Sequence, residues 1–169
     1  MVQFAWLEIH YAGLVQVPFF IRRLGLIFGL GTKALMSPVA FGVNAIVDDA
    51  DGRVVLVRQT YMQGLHLPGG GVSAGEPPGE AIMRELREEI GLVSSAPPEF
   101  VGLYTRQFGF VTNVVALYRV RDAIFNFKPN FEIREIALVD PNSPPDEVRP
   151  GTRRRLQEMT GTRSISPYW

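Results

Sequence analysis

The chain contains no cysteine. Disulfides, zinc–cysteine sites and thiol nucleophiles are therefore excluded. An excess of either charge is missing too: Lys+Arg 17 balances Asp+Glu 17, for a formal net charge of zero. No whole-molecule field would draw such a chain to nucleic acid or to an anionic membrane, so no DNA partner is expected. Nor is there an unbroken apolar run of about 18 residues, the requirement for a spanning helix. The most apolar stretch, Leu14 to Leu30, is interrupted by Arg22 and Arg23. Glu8 is the only formal charge before Arg22, and no small-x-small cleavage site follows an apolar core, which argues against a signal peptide. No membrane span is expected, and with cysteine absent a cytoplasmic location fits. Internal repeats, long linkers and low-complexity runs are also lacking.

What is present is an ordinary globular composition. A chain of 169 residues, 46% hydrophobic and 20% charged, is long enough for one domain with a proper core. Phe20, Leu24, Ile27 and Phe28 have helical spacing, which predicts a helix over Phe19 to Leu30 ended by Gly29, Gly31 and Pro38. Residues 1–38 are read as an apolar helical extension, packed on the domain or at an interface. An exposed face on it would be a candidate homodimer surface.

From residue 39 to 169 the pattern is that of one mixed α/β domain. Val39 to Val47 reads as a strand and Arg53 to Arg58 as its hairpin partner across the turn Asp48 to Gly52. Further strands are expected over Phe100 to Arg106, Val111 to Arg121 and Glu132 to Asp140. Pro141 to Pro150 reads as a loop and Thr152 to Met159 as a C-terminal helix, whose run Arg153, Arg154 and Arg155 is taken as a solvated face.

The most informative stretch runs from Gly70 to Leu92. A glycine-rich segment, Pro68-Gly69-Gly70-Gly71, leads into a helix that begins near Pro77 and Pro78 and stops at Gly91. With Glu85 as angular origin and about 100° per residue, Glu88 lies near −60° and Glu89 near +40°. Three carboxylates thus share one face, while Ile82, Met83, Leu86 and Ile90 form an apolar stripe beside it. Like charges at these spacings cost about 0.2–0.5 kcal/mol per pair. A divalent cation with a taste for hard oxygen, Mg²⁺ or alternatively Mn²⁺, would relieve that repulsion. From the cluster alone, a solvated acidic face explains the pattern equally well.

The full pattern is more specific than its parts. Gly70, Glu76, Arg84, Glu85, Leu86, Glu88, Glu89, Gly91 and Leu92 resemble, position by position, the box of the Nudix (MutT-like) hydrolases. The likeness extends more loosely over residues 39–140. The resemblance implies an α/β/α sandwich with a mixed β-sheet and a loop-helix-loop catalytic motif. It implies hydrolysis of a nucleoside diphosphate linked to another group: a nucleotide sugar, ADP-ribose or a nucleoside triphosphate. By resemblance Glu85, Glu88 and Glu89 are metal ligands and catalytic groups, joined by the Gly69 carbonyl. Gly70 and Gly71 approach the substrate, and Glu76 pairs with Arg84 to brace the loop against the helix.

The general base is left open between a box glutamate and a later carboxylate, with Glu135 preferred over Glu132. Arg58 is a candidate phosphate contact, with a plain surface arginine as the alternative. His66 reads as structural before it reads as functional. Tyr61, Tyr104 and Phe108 could stack on a base, although packing is the default for strand aromatics. A non-catalytic nucleotide sensor and an RNA 5′-end pyrophosphohydrolase are the alternatives to the leading reading.

Overall fold

The computed structural model describes residues 19–36 and 38–169. Residues 1–18 lie outside it, and with them the first part of the expected apolar extension. The first described element, helix α1, spans Phe19–Met36. It runs through Gly29 and Gly31, where the sequence predicts an end, and stops before Pro38, which has no amide hydrogen to continue it. Leu24, Ile27, Phe28, Leu30, Leu35 and Met36 are all exposed on it. No helix among the described residues is long and apolar enough to cross a membrane.

In the remainder, strand alternation assigns side chains to two apolar clusters. Strand β1, Val39–Val47, and strand β2, Val54–Gln59, each send every second residue to opposite sides. Val43, Ala45, Val47, Val55 and Val57 join one cluster; Ile46, Val54 and Leu56 join the other. Helix α2, Pro78–Ile90, covers the first cluster with Ala81, Ile82, Leu86 and Ile90, all fully buried. Helix α3, Pro150–Met159, covers the second with Leu156. The strands thus lie between two helices, the expected α/β/α layering. Burying one Leu or Ile contributes about 1.5–3 kcal/mol, so the apolar stripe of α2 outweighs the repulsion among its carboxylates.

The order of the elements continues through β3 (Leu92–Ser94), β4 (Glu99–Phe108), β5 (Val111–Val120), β6 (Ile124–Phe125) and β7 (Ile133–Val139). β3 and β6 are short pieces with no periodic signal, and they pair with each other. β1 pairs parallel with β5, and β5 antiparallel with β4, so the sheet is mixed.

The expected hairpin of β1 with β2 does not form. β2 pairs antiparallel with β7, with Arg58 opposite Glu135. The reason lies in the free edge of β1, which is taken by the glycine-rich segment. Ala45 N–H donates to Pro68 O at 2.9 Å, Val43 N–H to Gly70 O at 2.9 Å, and Val72 N–H to Phe41 O at 3.1 Å. The turn Asp48 to Gly52 still forms, closed by Asp49 N–H to Arg53 O at 2.9 Å, but it carries the chain to another strand pair.

Candidate active site

The glycine segment is pinned between β1 and α2. From β1, Asn44 Nδ2 donates to Leu67 O at 3.0 Å and to Pro68 O at 3.2 Å. From α2, Glu89 Oε2 accepts the Gly69 N–H at 2.7 Å. Gly69 has φ +139, and a Cβ there would stand 2.1 Å from Val43 O. At Gly70 a Cβ would stand 2.5 Å from the Glu85 carboxylate. Only bare backbone can lie this close to both the strand and the acid.

Helix α2 presents its acids to that backbone because its two ends are fixed. Pro77 O accepts from Glu80 N–H and Ala81 N–H at 2.9 and 3.0 Å. Gly91 closes the other end at φ 67, ψ 42, where its N–H reaches Arg87 O and Leu86 O. Glu85 and Glu89 are 9% and 3% exposed, unusually low for carboxylates. Burial pushes the Glu89 carboxyl up to about 8, against the Gly69 N–H that favours its ionised form; the charges of Glu85, Glu132 and Glu88 push the same way as burial.

Arg84 knits the loop to the helix. Its Nε and Nη2 donate to the two Glu76 oxygens at 2.8 and 3.0 Å, and Nη2 also reaches Gly71 O at 3.0 Å. Ser73 N–H adds a further bond to Glu76 at 2.9 Å. Arg84, foremost, with Ser73 behind it, holds the Glu76 carboxyl down at about 2. Arg84 Nη1 meanwhile meets Glu85 at 2.7 Å and Glu88 at 3.4 Å. Among the described residues no three carboxylate or imidazole side chains converge on one point, since this guanidinium stands between two of them. Lysine cannot reproduce the bidentate fork. Arg84→Lys is therefore expected to lower turnover by about 10–100-fold, the usual loss for a group supporting ligands. A titration of activity against added divalent cation should show whether the loss follows metal affinity.

The strand pairing sets two of the sequence-derived candidates against each other. Arg58 does not face the glycine segment: its Nε donates to Glu135 at 2.5 Å and its Nη2 to Glu147 at 2.6 Å. Glu135 is thereby committed to Arg58, which holds its carboxyl below the usual range. Glu132 is the late carboxylate whose charge reaches Glu89. Asn130 explains its position, because Nδ2 donates to Glu88 O at 3.1 Å while Oδ1 accepts the Glu132 N–H at 2.9 Å.

Beside Gly69, Gly70 and Gly71 opens a cavity of about 300 Å³, at the lower end of small-molecule sites of roughly 300–1,000 Å³. Arg106, Arg149, Gln59, His66 and Trp169 contribute to its walls. Both His66 ring nitrogens and Gln59 Oε1 are buried there without a hydrogen-bond partner. Burial, and then the charge of Arg149, lower the His66 pKa to about 4, so the ring is neutral at physiological pH. His66, read from sequence as structural, thus has unsatisfied polar atoms at a cavity wall. Tyr104, a stacking candidate, is instead 3% exposed in the second apolar cluster. Tyr61 is exposed, and partial burial and then the charges of Glu132 and Glu89 push its phenol up. The Phe108 side chain lies outside the described residues.

Sequence reasoning does not single out Asn44, Gln59, Arg106, Arg149 or Trp169. Asn44 comes from β1, Gln59 from β2, Arg106 from β4, Arg149 from beside the bridge of Leu65 to Val148 and Trp169 from the chain beyond α3, and no local spacing announces them. The run Arg153 to Arg155 is also not a solvated face. Arg155 is 1% exposed, its guanidinium 4.0 Å above the Tyr104 ring, with Glu158 Oε1 at 2.6 Å from Nη2.

A family model described as the NUDIX domain matches residues 38–159. The chain belongs to the NUDIX family. An RNA pyrophosphohydrolase of Halorhodospira halophila is 50% identical over 50 residues, covering 30% of this chain and 28% of that protein. An 8-oxo-dGTP diphosphatase of Haemophilus influenzae is 37% identical over 78 residues, covering 43% of this chain and 54% of that protein. This NUDIX chain therefore aligns with between about a quarter and about half of the length of these curated relatives. The crystal structure of a MutT NUDIX hydrolase from Burkholderia pseudomallei superposes with a TM-score of 0.62 at 20% identity, over 70% of this chain and 96% of that one. At that identity the likeness speaks for the fold.

Proposed function

We propose that this NUDIX chain is a divalent-metal-dependent pyrophosphohydrolase that cleaves the diphosphate linkage of a nucleotide. The observation that carries the reading is the buried pair Glu85 and Glu89 packed against Gly69 and Gly70, the same glycine segment that lines a cavity flanked by Arg106 and Arg149. Nudix proteins generally use a divalent metal, and the donor set fits one. It consists of hard oxygens, and a buried carboxylate that holds its proton up to about 8 lacks the compensating charge a cation would bring. Glu85, Glu88 and Glu89 with the Gly69 carbonyl would hold Mg²⁺, or Mn²⁺ in its place. Such a cation supplies Lewis-acid polarisation of the phosphoryl oxygens and neutralises their charge.

The remaining chemistry belongs to the chain. Gly70 and Gly71 let phosphate approach the backbone, and Arg106 and Arg149 offset its charge at the cavity walls. Water adds to one phosphorus, the bridging P–O bond breaks, and the proton lost by water passes to a carboxylate. Glu89, against the Gly69 N–H, and Glu132, whose charge reaches it, are the two carboxylates offered for that task. Glu76 and Arg84 hold the loop in register with the helix.

The test is a release assay for phosphate and pyrophosphate with Mg²⁺. Its panel includes nucleoside triphosphates, 8-oxo-dGTP, ADP-ribose, nucleotide sugars and 5′-triphosphorylated RNA. Turnover of at least one small nucleotide with kcat/KM of about 10⁴ M⁻¹s⁻¹ or more is expected, the lower bound of ordinary enzymes. Tight nucleotide binding without turnover would replace this reading with a sensor. Turnover confined to the RNA would move the substrate class to RNA 5′ ends, in line with the name of the Halorhodospira relative.

A further inference from the structure

The matched family region ends at residue 159, yet the cavity beside the glycine segment has a wall from beyond it. The chain after α3 turns back and lies along β4. Thr105 N–H donates to Pro167 O at 2.8 Å, and Trp169 N–H donates to Thr105 O at 2.9 Å, which sets Tyr168 beside Thr105 in a parallel bridge. Ser166 N–H is held by Glu158 Oε1 at 3.1 Å, and Arg154 Nη2 reaches the Trp169 carbonyl at 2.5 Å. The end of the sequence is thus fastened at several points to two different elements.

This fastening presents one side chain. The Trp169 indole stands edge-on to Tyr104, with ring centroids 5.8 Å apart at 82°, and the buried Arg155 guanidinium lies 5.6 Å from it. Trp169 also lines the same cavity as Gly69, Gly70 and Gly71. The residue beneath it is Gly151, where a Cβ would come within 2.6 Å of the indole Nε1. The absence of a side chain at Gly151 therefore lets the indole lie where it does. Among the described residues no hydrogen bond involves the indole N–H.

We propose that Trp169 is a substrate-binding residue, the stacking wall for the nucleobase of the substrate. The inference rests on the nucleotide reading above and assigns the two ends of that cavity. Glycine backbone and arginines take the phosphates; the indole takes the ring. A braced, half-buried indole costs little entropy to present, and its face is indifferent to which base stacks on it.

The experiment compares wild type with Trp169→Ala, Trp169→Phe and Gly151→Ala, using the best nucleotide of the panel and, as a ligand without a base, inorganic tripolyphosphate. Trp169→Ala is expected to raise KM by about 10–100-fold, the range of base–aromatic stacking, with kcat within about threefold; a phenyl ring should restore most of it. Gly151→Ala should also raise KM, because the new methyl displaces the indole. Added to Trp169→Ala, it should have no further effect. Tripolyphosphate affinity should be unchanged in every variant. The proposal is overturned if nucleotide KM stays within about twofold in Trp169→Ala. A parallel loss of tripolyphosphate affinity would also overturn it, by reducing Trp169 to a structural support. A wild-type protein that neither binds nor cleaves any nucleotide removes the functional reading, and this one with it. Wild-type turnover with an indifferent Trp169→Ala removes this one alone.

Discussion

Replacing Glu89 by Gln is expected to cut kcat by about 10²–10⁴-fold, the contribution of a positioned proton-transfer group, in a protein that still folds. Glutamine keeps an oxygen to accept the Gly69 N–H now 2.7 Å from Glu89 and fills the same volume. It removes a carboxyl that burial pushes up to about 8 from its ordinary 4.5. Between those two values the folded metal-free protein holds a proton that the unfolded chain has released. More protons are bound to the folded state, so stability falls as pH rises through that window. Thermal midpoints in EDTA should therefore decline from about pH 5 to pH 8 in wild type, and decline less in Glu89→Gln. Divalent cation should raise the wild-type midpoint more strongly at the alkaline end, where less proton has to be displaced. Near-normal turnover in the variant would remove Glu89 from the chemistry. Identical pH profiles would show that its burial is relieved by other means.

The second large effect concerns stability. Gly69→Ala is expected to cost more than about 3 kcal/mol, since it combines a backbone conformation that L residues rarely adopt with a clash. The new methyl would stand 2.1 Å from Val43 O and 2.7 Å from Asn44 Cα. Both are backbone atoms of a strand hydrogen-bonded to β5 on its other edge, so neither can retreat without breaking the sheet. Gly71→Ala is the control. A methyl added there would meet no atom within 4 Å and should change stability by no more than about 0.5 kcal/mol. Urea unfolding measures both, and equal midpoints would show that the glycine segment is looser than its packing implies.

Much of the site is legible in sequence because it is local. Glu76, Arg84, Glu85, Glu88 and Glu89 lie within one loop and one helix, and helical angles alone put the acids on one side. What cannot be read depends on partners distant in the chain. Arg58 and Glu135 are 77 residues apart, and nothing local to either announces that they pair. Once β2 pairs with β7 they face one another, and the late carboxylate near Glu89 becomes Glu132. Trp169 carries no periodic signal at all. Arg155 is readable in principle: Thr152, Arg155, Leu156 and Met159 share one helical face, and the run of three arginines obscures that only one of them lies on it.

The edge of β1 given over to the glycine segment also bears on the order in which the protein can assemble. β4 and β5 form the one long strand pair closed by a short turn, meeting at Phe108 and Val111. β1 must find β5, and β2 must find β7, across long intervening stretches, which carry a loop-closure cost before any contact repays it. The glycine segment has its partners on β1, and the acids of α2 meet that segment only where it lies against β1. Chemistry thus waits on topology: a nascent chain holds every residue of the acidic helix long before it holds a site.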